Sequence, residues 1–225
     1  MGIIYQIFPN LEKLAPELIK CTGQTVQMVA VSGIISFFFG LFFGSLLIVT
    51  KKGGILECVP VYNVIDKAID ILRSIPFLIL LFLLIPMSRA IVGTSLGVEG
   101  AYVPLIFGTV PFFSRQIETA IAEVDPGLIE ASEAMGFSPI EIIFSVYLRE
   151  SIPGIARVSM ITLISLIGLT TMAGAVGAGG VGDFAIRYGY QLHQRDTIWI
   201  SVIITLIMVS IVQIIGNIII KNTKH

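Results

Sequence analysis

Charged residues are scarce in this chain, and so is cysteine. Only 13% of the 225 residues are charged, against 55% that are hydrophobic, and so little charge does not cover a soluble domain of this size. A net charge of −1 with no basic cluster gives no attraction to nucleic acid. The two cysteines, Cys21 and Cys58, fall on opposite membrane sides in the topology derived below, so neither a disulfide nor a metal framework is expected. The composition predicts an integral membrane protein.

Motifs for nucleotide binding and catalysis are also missing. The phosphate-binding pattern G-x-x-x-x-G-K-[ST] is absent from the sequence, so we expect that this chain does not power any reaction with ATP by itself. Residues 177–182 match G-x-G-x-x-G, but they follow an apolar run rather than a strand, and we predict a glycine-rich break between spans instead. No cluster has metal-ligand spacing, and His193 has no recognisable catalytic partner. We therefore expect a protein that is not an enzyme and holds no cofactor or metal.

Five apolar runs are present, and a membrane span needs roughly 20 residues. An amphipathic helix over residues 8–21 is expected to lie at the interface before the first run. In the second run, Pro76 predicts a bend, because proline removes a helical hydrogen bond. The sequence predicts an all-α protein with five transmembrane helices in one domain, residues 1–225. The runs are residues 26–50, the stretch after Arg73 up to Met87, residues 101–113 extended through Thr119, residues 155–176 and residues 197–220.

Small residues recur at every fourth position along the first run, at Ser32, Ser36, Gly40 and Gly44. Such a strip lets another span pack closely against it. Its partner is either a second copy of the chain or another span of the same chain, and the second interpretation is the default.

The fourth run combines hydroxyl groups with one large side chain among very small ones. Ser159, Thr162 and Ser165 either bond to their own backbone or line a path for a weakly polar solute. Met172 stands within the sequence TTMAGAVGAGG. In a paired protein, two copies of Met172 would meet and form a gate, because a thioether adapts its shape without strong hydrogen bonding. The alternative is that Met172 fills a packing gap.

A polar loop over about residues 124–150 contains signals for two short helices. Asp125 is a suitable N-cap and Pro126 fits the first helical position. Gly136 can adopt the left-handed conformation after a helix end. Ser138 and Glu141 have the spacing of a capping box, so a second helix is expected to begin at once.

The distribution of Lys and Arg sets the orientation. Nine of the 14 fall on one side of the five spans and five on the other. Because basic loops stay in the cytoplasm, the loop at 124–150 and the C-terminus are predicted to be cytoplasmic and the N-terminus to be outside. The more basic side holds Lys51, Lys52, Lys67, Arg73, Arg115, Arg149, Arg157, Lys221 and Lys224.

The identities within this loop resemble the EAA loop of ABC-importer permeases. The matching residues are Glu130, Ala131, Ser132, Gly136, Val146 and Leu148, with Ser132, Val146 and Arg149 in place of the usual Ala, Ile and Pro. In that family the loop is the coupling helix that docks into a groove of a cytoplasmic ATPase. The spacing of Gly127, Ala131 and Ala134 agrees with this use, since it makes one nearly bare helix face. The resemblance implies ATPase-coupling roles for Glu130, Ala131, Ser132, Ala134 and Gly136.

Segments outside the loop are similar to the permeases of methionine-type ABC importers in particular. They are LRSIPF at 72–77, IP at 85–86, IVGTS at 91–95, GAVGAGGVG at 174–182 and IRYGY at 186–190. The resemblance implies a type I importer permease fold in a bacterial inner membrane and uptake of D- or L-methionine. It implies as partners a second copy of the chain, two ATPase subunits that hold ATP and Mg, and an extracytoplasmic substrate-binding protein, besides the lipid bilayer.

Two other interpretations of the sequence remain. The same kind of importer could carry another amino acid or a quaternary-amine osmolyte, because the separate binding protein sets most of the specificity. A secondary transporter is disfavoured, since such a protein is expected to carry an ionisable residue inside a span and the centres of these runs have none.

Overall fold

The computed structural model describes residues 11–223, and the all-α prediction is confirmed for them. Turns of π type follow three of the helices, at Ile143–Tyr147, Gly174–Ala178 and Ala185–Gln191. The helices are α1 (Leu11–Thr50), α2 (Val59–Ser74), α3 (Phe77–Leu83), α4 (Ile85–Val92), α5 (Gly97–Ala122), α6 (Pro126–Ala134), α7 (Pro139–Ile142), α8 (Leu148–Glu150), α9 (Ile152–Ala173), α10 (Gly180–Phe184) and α11 (Arg195–Thr223).

Three stretches are long and apolar enough to cross a membrane: Lys13–Thr50, Ile152–Ala178 and Arg195–Thr223. A fourth span results if α4 and α5, which are bent by 117° at their junction, are taken together. The number of five spans therefore stays a prediction.

Helix α1 extends without a break for 40 residues. Residues 11–21 are helical, as predicted, but they continue directly into the apolar run, and their place at the membrane interface stays a prediction. Residues 8–10 lie outside the described residues. The sequence between Cys21 and Val26 contains no proline that would stop the helix. At 1.5 Å per residue α1 is about 60 Å long, which exceeds a hydrocarbon core of about 30 Å.

The second apolar run is divided where the proline predicts a break. Helix α2 ends at Ser74, Ile75 is extended, and Pro76 precedes the first residue of α3. Helix α4 then ends at Gly93 in the left-handed conformation, with φ of 79°. The predicted bend at Pro76 is confirmed.

The described residues form two compact units. The first contains the chain up to Ile34, Pro76–Phe107 and Leu163–Gln213. One buried cluster in it joins α1, α5 and α9 through Met28, Leu105 and Leu166. A second joins α1, α10 and α11 through Cys21, Phe184 and Ile200. This unit contains the glycine-rich segment.

The second unit contains Ile35–Ile75, Gly108–Thr162 and the described residues from Ile214. In it the small-residue strip of α1 packs against α5. A Cβ atom on Gly40 would collide with the ring of Phe113, and one on Gly44 would lie 2.6 Å from the side chain of Ile117. Because both glycines meet α5 of the same chain, this part of the strip serves packing within one copy.

An ionic cluster also joins α2 to α5 in the second unit. Arg115 lies 2.5 Å from Asp66, 2.8 Å from Asp70 and 2.7 Å from Glu118. The side chain of Arg115 is only 21% exposed, so the three carboxylates supply the polar contacts that water would otherwise make. The cluster holds the amphipathic helix α2 against the longer α5.

Candidate functional site

The polar loop folds as the capping signals predict. The Asp125 carboxylate accepts a hydrogen bond from the Gly127 N–H at 2.8 Å, at the start of α6. At its other end, the Gly136 N–H donates to Glu133 O at 2.9 Å and the Phe137 N–H donates to Ser132 O at 3.1 Å. These two bonds form a Schellman motif, and Gly136 has the left-handed φ of 83° that the motif requires.

Helix α7 starts with the predicted capping box. The Ser138 N–H donates to the Glu141 carboxylate at 2.7 Å, and the Glu141 N–H donates to Ser138 Oγ at 3.4 Å. The hydrogen bonds from the side chain and backbone of Ser138 favour the ionised carboxylate and lower the pKa of Glu141. With α6 ended and α7 begun within four residues, the loop has a defined path on the protein surface.

Buried residues attach this loop to the core of the second unit. Ile142, Val146 and Tyr147 are buried and pack in one cluster with Ile117 of α5 and Val49 of α1. Burial, and secondarily the nearby charge of Glu133, raises the pKa of Tyr147. The loop is therefore packed directly against α1 and α5.

The predicted coupling residues do not all lie on the exposed face of α6. Glu130, Ala131, Ala134 and Gly136 are exposed. Ser132 is buried, with 5% of its surface accessible, and its hydroxyl donates to Leu128 O at 2.7 Å. The helix turns this position towards the core, so Ser132 does not lie on the exposed face of α6, and its coupling role stays a prediction.

Large apolar side chains, which were not predicted from the sequence, surround this face. Met135, Ile140 and Phe144 are between 65% and 67% exposed, while Leu128 and Phe137 are also exposed. Ile140 and Phe144 are four positions apart, on the face opposite to the buried Ile142 and Val146, and this spacing was the available signal. We call Leu128, Glu130, Ala131, Ala134, Met135, Phe137, Ile140 and Phe144 the loop surface.

The four residues predicted for a path or gate are divided between two environments. Ser165 and Met172 are exposed and seven positions apart in α9, which places them on one face. The Thr162 hydroxyl is buried and donates to Val158 O at 2.8 Å, and the half-buried Ser159 donates to Ile155 O at 2.7 Å. Thr162 thus follows the first of the two alternatives, in which the hydroxyl bonds to the backbone of its own helix.

Met172 lies at the end of α9, next to the glycine-rich turn. Its side chain is 43% exposed, whereas the adjacent Ala173 has no exposed surface. The turn continues through Gly177, Gly179 and Gly180, all with φ between 81° and 95°. It connects two helices, and within residues 11–223 no strand precedes it, so the geometry of a dinucleotide-binding βαβ unit is not formed.

In the part of the chain that the structure describes, no three His, Cys, Asp or Glu residues are grouped so that they could hold a metal ion. Two features of functional interest stand out among the described residues. These are the loop surface and the exposed end of α9 at Met172.

Comparison with known proteins gives four concordant findings. The family described as binding-protein-dependent transport system inner membrane component matches residues 36–224. The probable D-methionine transport system permease protein MetI of Vibrio cholerae is 41% identical over 208 residues, 92% of each chain. The methionine import system permease protein MetP of Bacillus subtilis is 41% identical over 212 residues, 94% of this chain and 95% of that one. A solved structure of the MetNI methionine ABC transporter in an inward-facing conformation has a TM-score of 0.93 at 40% identity, covering 95% of this chain and 99% of that one.

Proposed function

Because this chain belongs to the inner membrane components of binding-protein-dependent transport systems, we propose that it is the permease subunit of an ATP-driven methionine importer. The chain is a transport subunit, and hydrolysis of ATP belongs to a separate subunit. Methionine is inferred from relatives that are named for its transport and match more than nine-tenths of the chain. The exposed loop surface is the structural observation that carries the proposal.

The loop surface suits a protein partner that moves. The small residues Ala131 and Ala134 allow close approach, the apolar side chains of Met135, Ile140 and Phe144 provide area to bury, and Glu130 offers a charge to a basic group. We infer that two copies of an ATPase subunit dock here, one on each copy of the permease. ATP and Mg²⁺ bind to those subunits, and closure of the ATPase pair moves the loop.

The path for methionine is inferred to form between two copies of the chain. Ser165 and Met172 are then on the face of α9 that lines it, since neither is covered within one copy. Two Met172 side chains close the path in the resting state, because flexible thioethers pack together and exclude water. Thr162 supports α9 from its buried side and takes no direct part.

The expected orientation has the N-terminus outside and the C-terminus in the cytoplasm of a bacterium. It places the loop surface in the compartment that holds ATP. It also places the glycine-rich turn on the outer side, where an extracytoplasmic binding protein delivers the solute. The excess of Lys and Arg on the loop side supports this arrangement.

Uptake by the reconstituted transporter tests the proposed substrate. The chain is placed in proteoliposomes with its ATPase subunit and binding protein, and accumulation of radiolabelled L-methionine and D-methionine is measured with and without ATP. We expect ATP-dependent accumulation of at least one enantiomer. Transport of a quaternary-amine osmolyte or another amino acid, with no methionine uptake, would contradict the proposal.

The gate is tested by Met172→Ala in the assembled transporter. We expect faster solute leak without ATP, because truncation opens the constriction, with little loss of thermal stability. Met160→Ala is the matched control: Met160 lies in the same helix and packs so closely against α11 that a Cβ on Gly216 would come within 2.6 Å of its sulfur. Truncation of Met160 should lower thermal stability without leak. A Met172→Ala protein that is only less stable would show that Met172 fills a packing gap.

A further inference from the structure

The N-terminus of α10 receives its capping groups from a distant helix. A helix start leaves N–H groups without partners of its own. Here the Gly180 N–H donates to Gln24 Oε1 at 2.9 Å and the Val181 N–H donates to Thr25 Oγ1 at 2.9 Å. Both acceptors belong to α1, 156 residues earlier in the chain. Thr25 is buried, so water does not replace its hydroxyl.

The glycines of the turn are what allow α1 to come so near. A Cβ atom on Gly179 would lie 2.8 Å from Gln24 Oε1, and one on Gly180 would lie 2.7 Å from Thr25 Oγ1. Both glycines also have positive φ, 81° and 82°, a conformation that other residues resist. Close contact and backbone shape together fix the turn on α1.

The same turn packs against the residues on both sides of Met172. A Cβ on Gly182 would collide with the carbonyl oxygen of Thr171, and one on Gly174 would lie 2.6 Å from the backbone nitrogen of Asp183. The backbone before and after Met172 is therefore held by the turn. Helix α1 holds the glycine-rich turn through Gln24 and Thr25.

We propose that Gln24 and Thr25 are positioning residues for Met172. Their two hydrogen bonds fix the glycine-rich turn, and the turn fixes the end of α9 so that the Met172 side chain stays at the constriction. Loss of either bond frees the turn and lets Met172 leave its position. This inference rests on the proposed gate function of Met172 and adds the residues that keep the gate closed.

Thr25→Val tests the inference, because valine has nearly the same shape but accepts no hydrogen bond. A net hydrogen bond of about 1 kcal/mol changes an equilibrium about 5-fold, so solute leak from proteoliposomes with the whole transporter should rise about 3- to 10-fold. Thr25→Ser keeps the hydroxyl and should restore the normal leak. Thr22→Val is the matched control, since the Thr22 hydroxyl donates to Leu18 O within α1 and its loss should not change leak.

A second measurement separates positioning from plain stability. Met172→Cys is combined in separate proteins with Thr25→Val, Thr25→Ser or Thr22→Val. The rate at which a thiol reagent labels the new cysteine is compared among these proteins. The unmodified chain gives the background labelling of Cys21 and Cys58. Labelling should be faster in the Thr25→Val background alone. If Thr25→Val prevents assembly of the transporter, Gln24→Met replaces it as the test variant, because it removes the hydrogen-bond acceptor of the Gly180 N–H.

The outcomes distinguish the inference from the gate proposal. If Met172→Ala leaks but Thr25→Val changes neither leak nor labelling, the positioning role is wrong and the gate stands. If Met172→Ala does not leak but Thr25→Val accelerates labelling, the gate is wrong and the positioning of residue 172 stands. A lower melting temperature with unchanged labelling would assign Thr25 a structural role and overturn the inference.

Discussion

At the scale of single residues, Gly136 ends helix α6 through one backbone conformation. Its φ of 83° closes the Schellman motif at the end of α6, and the space around its Cα is open, because an added Cβ would meet nothing within 4 Å. A substitution there acts through backbone strain and not through a clash. Such strain costs of order 1–3 kcal/mol.

We expect Gly136→Val to leave the protein inserted in the membrane but to misplace the loop surface. Co-purification of the ATPase subunit and methionine-stimulated ATP hydrolysis should both fall. Gly136→Asn is the matched control, because asparagine tolerates the left-handed conformation, and it should retain most of the coupling. If the Val and Asn variants both retained the co-purification and ATP hydrolysis of the wild type, a docking role for this helix end would be contradicted.

Glu130→Lys tests the charge of the same surface without straining the backbone. Glu130 is exposed, so the change should not affect folding, and reversal of charge at an interface rim mainly slows association. We expect weaker binding of the ATPase subunit, measured as a slower association rate that depends on ionic strength. Unchanged association at low salt would remove Glu130 from the docking surface.

At the scale of elements, the contact between α2 and α5 depends on Arg115. Three carboxylates meet its guanidinium, and two of them, Asp66 and Asp70, come from the other helix. Arg115 lies within α5, in the stretch by which the third predicted span extends beyond Phe113. The partners are 45 and 49 residues away, beyond the reach of any spacing rule.

Removing this arginine should loosen the two helices. We expect Arg115→Leu to lower the stability by about 1–3 kcal/mol, less than for a fully buried pair because these side chains are partly exposed. Arg73→Leu is the control: Arg73 lies 3.8 Å from Asp70 with 40% of its side chain exposed, and its loss should change stability by less than about 0.5 kcal/mol. Thermal unfolding of the purified protein in detergent measures both, and equal melting temperatures would show that the cluster adds no stability.

At the scale of the whole molecule, the orientation in the membrane is open to direct measurement. A cysteine at Thr94→Cys, in the link between α4 and α5, should react with an impermeant thiol reagent added outside intact cells. Ser145→Cys, an exposed position of the polar loop, should react only after the membrane is opened. The unmodified chain supplies the background from Cys21 and Cys58, and the reverse labelling pattern would invert the proposed topology.

Local features of this protein were determined by the sequence alone. The caps at Asp125, Gly136 and Ser138 join groups within five residues of one another, and the break at Pro76 follows from one missing N–H. Such contacts need no other part of the chain, because covalent spacing already brings the groups together. The apolar composition likewise predicted the membrane class before any contact was known.

Tertiary structure decided which faces are used. Ser132 turns inward although its neighbours in α6 are exposed, and Gly40 and Gly44 of the small-residue strip meet α5 of the same copy. Gln24 and Thr25 cap a helix start 156 residues later. The contacts of Gly40 and Gly44 with α5, and those of Gln24 and Thr25 with α10, each close a long stretch of chain. Local sequence does not distinguish these partners from many others that could make similar contacts. The choice among them is made by packing the whole set of helices at once, so it appears only in the folded structure.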